Sequence, residues 1–140
     1  TMDPMLPNES KIVKNINIPL LLKPLGDSIK ILKKDLPPSI CLIGFSGAPW
    51  TLACYMIEGQ SSKDFINTRK ALWNSHKWFM DLLETLSIYV ADILELQANA
   101  GADVLMIFDL KNSIKSKKSY GGTSFENIKR MIMKYKKQND

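Results

Sequence analysis

The chain has 140 residues, 45% of them hydrophobic, with 19 Lys+Arg against 14 Asp+Glu, one His and two Cys. That length supports one modest core and excludes a complete (β/α)8 barrel, which takes about 250 residues. No apolar run nears the roughly 20 residues of a membrane span, no signal peptide opens the chain, and Cys41 and Cys54, with no neighbouring His, form neither a disulfide framework nor a zinc site.

The positive charge is unevenly placed. Residues 111–140 hold nine Lys/Arg and two Asp/Glu, whereas residues 1–110 hold ten and twelve. The body is therefore slightly acidic, and neither nucleic acid nor a membrane is an expected partner for it. Only Arg69 and Arg130 can grip a carboxylate or phosphate in bidentate fashion. Both thiols read as buried and free, which fits a reducing, cytoplasmic setting.

In chain order, the Pro-rich residues 1–26 read as irregular, with a short helix near Ser10–Asn15. A first residue that is Thr rather than Met fits a fragment. Asp27 or Ser28 is placed to cap a helix through Leu36, with Ile29, Leu32 and Leu36 on one face and Pro37–Pro38 as its stop. The apolar run from Ile40 to Phe45 has the pattern of a fully buried parallel strand. Ser46-Gly-Ala-Pro49 makes a tight turn into a helix from Trp50 or Thr51 to about Glu58, ended by Gly59.

A second helix is expected over Lys63–Trp73. A longer one follows, carried by Phe79, Leu82, Leu86, Tyr89/Val90, Ile93 and Leu96/Gln97 and ended by Ala100-Gly101. The run from Val104 to Phe108 is a second buried strand, closed by Asp109. Strand, helices and strand make a βαβ unit and place the body in the α/β class. Beyond it lie a Lys/Ser-rich linker at 111–120 and a capping box at Thr123–Glu126. A basic amphipathic pattern over 124–137 follows, readable as a solvated terminal helix or as a surface for an anionic membrane, nucleic acid or an acidic partner.

No cofactor motif stands out. Gly44 and Gly47 lack dinucleotide-binding spacing and no phosphate loop occurs. The two glycines either allow close strand–helix approach or leave backbone N–H groups to an anion. No metal site is expected, and His76 reads as a solvated or capping residue near a helix start. Asp109 is the possible cleft residue, because in α/β folds ligands bind at the carboxyl ends of strands.

Two blocks, IGFSGAPWTLACYMIEG (Ile43–Gly59, followed by SSKDF) and QANAGADVLMIFD (Gln97–Asp109), resemble the uroporphyrinogen decarboxylase family, with the Leu25–Pro38 stretch fitting as well. The resemblance covers about residues 25–109. It implies a partial (β/α)8 TIM barrel of about two βα units over 1–110, with a divergent basic tail at 111–140. It also implies a cytoplasmic, commonly dimeric enzyme of haem biosynthesis that needs no cofactor and whose substrate partner is uroporphyrinogen. Family members turn the four acetate side chains of uroporphyrinogen III into methyls, giving coproporphyrinogen III and carbon dioxide. By position, Tyr55 matches an active-site Tyr that hydrogen-bonds substrate, and Phe45 an apolar residue lining the cleft. From its own surroundings in sequence, without the motif, Tyr55 reads instead as a core aromatic of its helix with a satisfied hydroxyl.

The departures from the family pattern concern the chemistry. The family's second strand continues as FDSWAG, whereas here the chain reads FDLKNS, so Leu110 stands where a substrate-contacting Ser belongs. The RQAGRY-type Arg segment, the Asp that binds the pyrrole nitrogens and the C-terminal His segment have no counterpart in these residues. Neither Arg69 nor Arg130 matches the family's clamp, so no catalytic residue is identifiable. The expected protein is thus a fragment inactive alone, with similarity ceasing after Asp109 in the manner of a frame change or gene decay. The alternatives are one piece of a split enzyme, or a non-catalytic interaction module using the basic helix. Two strands alone would leave open parallel edges and an uncovered apolar face.

Overall fold

The computed structural model describes residues 12–60 and 62–109. The linker, the capping box, the 124–137 helix, Leu110 and Arg130 lie outside the described residues. The short helix expected near Ser10–Asn15 is not found over its described part, since residues 12–17 are not helical. The first helix is α1 (Ile18–Leu21), where Asn17 accepts a bond from the Leu20 N–H at 3.0 Å.

Helix α2 (Lys23–Asp35) begins earlier than Asp27, because Pro24 in its first turn presets a helical φ and needs no donor. The Ser28 hydroxyl instead donates to the Pro24 carbonyl. Ile29 is buried, but Leu32 is exposed.

Strand β1 (Ile43–Gly47) pairs in parallel with β2 (Val104–Phe108), with Ile43 opposite Val104 and Gly47 opposite Phe108. Between them run α3 (Pro49–Glu58), α4 (Ile66–Asn74) and α5 (His76–Asn99), which form the βαβ crossover. The core sits among these helices. Trp50, Ala53, Cys54, Ile57, Leu72, Phe79, Leu82 and Leu86 are all buried there, and the Trp50 and Phe79 rings meet edge to face at 5.6 Å.

Two expectations about the strands are corrected. The strand starts at Ile43 and includes Ser46 and Gly47, which pair with Ile107 and Phe108, so Phe45 is mid-strand rather than at its end. Nor is either strand fully buried. Gly44 and Ser46 are buried toward α5, while Ile43, Phe45, Val104, Met106 and Phe108 are exposed on the other face. A continuous apolar run cannot report whether both faces find cover. Cys41, expected to be buried, is exposed in the connection before β1; Cys54 is buried as expected.

Local devices set the frame. Gly59 takes a left-handed φ of 67°, and its N–H donates to the Tyr55 carbonyl, ending α3. Gly101 (φ 112°) ends the α5 turn and lets the chain reverse against Lys33. The Asp103 carboxylate then ties the two strand starts together. It accepts from the Leu42 N–H at 2.9 Å and from Lys33 Nζ at 2.6 Å, while the Asp103 N–H donates to the Leu42 carbonyl. These two bonds, the lysine's first, hold the carboxyl below its ordinary 3.8.

Candidate functional site

The carboxyl ends of the strands and the start of α3 come together. The Ala48 N–H donates to the Phe108 carbonyl at 2.7 Å, extending the ladder one step past β1. The Thr51 hydroxyl donates to Asp109 Oδ1 at 3.0 Å, so Asp109 is held against the first turn of α3, where the helix dipole favours negative charge. Gly47 tolerates this closeness because a Cβ there would lie 3.1 Å from Leu52. Neither Gly44 nor Gly47 has positive φ, and both serve close packing.

Phe45 projects from the open face and is 60% exposed. The Phe108 ring lies edge-on to it at 5.7 Å between centroids. Tyr55 is 45% exposed, one turn after Thr51 along α3, so it is no core aromatic. The structure thus places Phe108 and Asp109 at the carboxyl end of the sheet with the ring of mid-strand Phe45 against Phe108, and sets Tyr55 further along the adjoining helix. His76 is exposed at the first position of α5.

Three functional-looking residues escaped the sequence reading. Glu58 reaches past the end of α3 and accepts from the Thr68 N–H at 2.9 Å, the Thr68 hydroxyl at 3.0 Å and Asn67 Nδ2 at 3.1 Å. It caps α4, whose own N-cap, Phe65, offers no side-chain bond. Gln97 bonds the Phe45 backbone at 2.9 Å through both ends of its amide. Tyr89 accepts from the Ile16 N–H and donates to the Val13 carbonyl, fixing the stretch before α1 to α5. For Gln97 a signal existed, a polar residue on the apolar stripe of a helix, which demands a buried partner.

Cys54 is no nucleophile. Burial, assisted by the charges of Glu58 and Asp109 and opposed by a bond with Thr68, pushes its thiol up to about 12. Among the described residues no group of three His, Cys, Asp or Glu could hold a metal ion. No described helix is long and apolar enough to cross a membrane. Two grooves lie away from the strand ends. One of about 400 Å³ lies between Lys14–Ile16 and the Glu84–Asp92 side of α5, the other, about 520 Å³, around His76.

Fold and site together define an α/β chain whose parallel strands carry exposed apolar and aromatic side chains and close on a carboxylate. Sequence comparison supplies the family. The uroporphyrinogen decarboxylase family model matches residues 4–140, and the chain belongs to that family. The match extends beyond residues 25–109 on both sides, so the expectation that similarity ceases after Asp109 is corrected. The uroporphyrinogen decarboxylase of Ruthia magnifica subsp. Calyptogena magnifica is 35% identical over 120 residues, covering 86% of this chain and 35% of the relative. That of Coxiella burnetii (strain Dugway 5J108-111) is 40% identical over 115 residues, covering 78% and 32%. For Wigglesworthia glossinidia brevipalpis the figures are 39% over 131 residues, 89% and 36%. The chain spans about a third of the length of these relatives.

Proposed function

We propose that the chain forms part of a cytoplasmic, cofactor-free uroporphyrinogen decarboxylase, a partial (β/α)8 barrel over 1–110 with a divergent basic segment at 111–140. The uncovered sheet face is the wall that the rest of the barrel and the substrate would cover. One observation carries this reading: large apolar side chains line the open face of both strands, and the mid-strand Phe45 ring packs against Phe108, which ends β2 just before Asp109. A face meant for water carries polar residues instead.

In this reading Phe45 supplies apolar wall, Tyr55 donates its hydroxyl to a substrate carboxylate, and Asp109 faces the cleft mouth. Loss of carbon dioxide requires an electron acceptor, and a pyrrole ring protonated at carbon serves as one. The protein's task is to hold the polyanion, exclude water and place that proton. The described residues offer wall and orientation but no anion clamp. Arg69, the one arginine among them, has its guanidinium over the Trp73 ring, 5.6 Å from the centroid.

The chain alone is therefore inactive, and its activity as one piece of a split enzyme is the second reading, supported by the same uncovered face. The test is an anaerobic decarboxylation assay on the purified 140-residue chain, then on that chain mixed with a polypeptide carrying the Arg, Asp and His segments. No product alone and product in the mixture is the expected pattern. Product from the chain alone overturns the inactivity, and none in a mixture that co-purifies overturns the split-enzyme reading. In an active mixture, Tyr55→Phe is expected to lower kcat/KM about tenfold, the loss of one bond to a charged group.

A further inference from the structure

The direction of the ladder decides where the peptide groups of Phe45 point. The Leu42 carbonyl accepts from the Val104 N–H and the Ala48 N–H donates to the Phe108 carbonyl, so the even-numbered residues of β1 turn their peptide groups toward β2. The N–H and C=O of Phe45 therefore face the opposite edge of the sheet. Gln97 meets both. Its Oε1 accepts from the Phe45 N–H at 2.9 Å, and its Nε2 donates to the Phe45 carbonyl at 2.9 Å. The Nε2 also donates to the Ile93 carbonyl at 3.3 Å, one turn back on α5, so the amide is braced by its own helix. The path is open because residue 44 is Gly: a Cβ there would sit 3.0 Å from Gln97 Oε1. Gln97 is itself buried.

We propose that Gln97 is a positioning residue that stands in for a neighbouring strand at Phe45. A side-chain amide presents one donor and one acceptor in a plane, the same pair that a strand offers, and no charge that burial would penalise. It fixes the Phe45 peptide on the outer edge of β1 and so sets the ring on the open face. While the strap is closed, a second copy of this chain finds no bond at that residue, and a strand completing the barrel proposed above would have to displace the amide to pair there. Edges of parallel sheets otherwise invite such pairing. What the Phe45 ring faces rests on the function proposed above; the strap does not.

The test is residue-resolved amide hydrogen exchange on the full 140-residue chain without ligand. Gln97→Met keeps the volume and removes both bonds, and Gln97→Glu keeps the shape and removes the donor. Gln97→Met is expected to speed exchange at Phe45 about tenfold, the range of one to two net hydrogen bonds, and Gln97→Glu, which keeps the acceptor for that N–H, by less. Gly44 and Ser46, which bond toward β2, are expected to move much less. Uniform acceleration at all three residues, or none at Phe45, overturns the proposal. Should neither variant fold, the unmutated chain decides. A nuclear Overhauser contact between the Phe45 amide proton and the Gln97 side-chain amide protons supports the strap, and its absence overturns it. Because these readouts need no porphyrinogen, a failed strap leaves the role of the Phe45 ring standing, and a failed decarboxylation assay leaves the strap standing.

Discussion

The two faces of the sheet carry opposite residue choices. Toward α5, β1 presents Gly44 and Ser46 and β2 the half-buried Leu105 and Ile107, beside a helix whose Phe79, Leu82, Leu86, Val90 and Leu94 are buried. Away from α5, the strands present Ile43, Phe45, Val104, Met106 and Phe108 to no cover among the described residues. Within β1, small residues sit on the packed face and large ones on the open face. Side-chain volume contributes to stability only where it displaces water on both sides. The open face thus contributes little to holding these residues together, and the helical side contributes most.

That contrast can be broken by substitution. Phe79→Ala, at a fully buried site, is expected to cost about 3–5 kcal/mol by chemical denaturation, a large share of what a chain of this size commands. Phe45→Ala, on the open face, is expected to change stability by no more than about 0.5 kcal/mol. A comparable cost at both sites would mean that something covers the open face in solution.

The helical side can be tested at a finer grain. Glu58→Ala removes the α4 cap and is expected to cost about 0.5–2 kcal/mol, with the increase in hydrogen exchange concentrated in the first turn of α4. The gentlest test uses alkali. An unfolded Cys54 ionises near its ordinary 9.0, the folded one only near about 12, so between those values ionisation favours the unfolded chain alone. Stability should therefore fall as pH rises across that window, and Cys54→Ala should lack that part of the decline. A matching alkaline profile in wild type and variant would show that the thiol is not buried in solution.

Much of this was legible in the residues, and the failures share a cause. Periodicity located α3 and α5, and Gly59 and Gly101 marked their ends because a left-handed backbone position favours glycine. The parallel pair followed from two apolar runs flanking helices. What failed depended on distant partners. Whether Val104–Phe108 is covered on one face or two, whether Cys41 is inside, and what Glu58 and Gln97 hold are settled by residues far away in sequence. Glu58 reads locally as the last turn of a helix, yet it works on the next one. Tyr55 and Phe45 were singled out by motif and not by spacing. Asp109 was found from the general rule about strand ends.

The strap also has a consequence for the order in which the chain is made. Phe45 precedes Gln97 by 52 residues and its strand partner Met106 by 61. During synthesis α5 reaches β1 before β2 exists. At roughly 5–20 residues per second, the glutamine is available about half a second to two seconds ahead of the strand. Of the two later elements that hold the middle of β1, the helix is therefore the first to arrive and the paired strand the second.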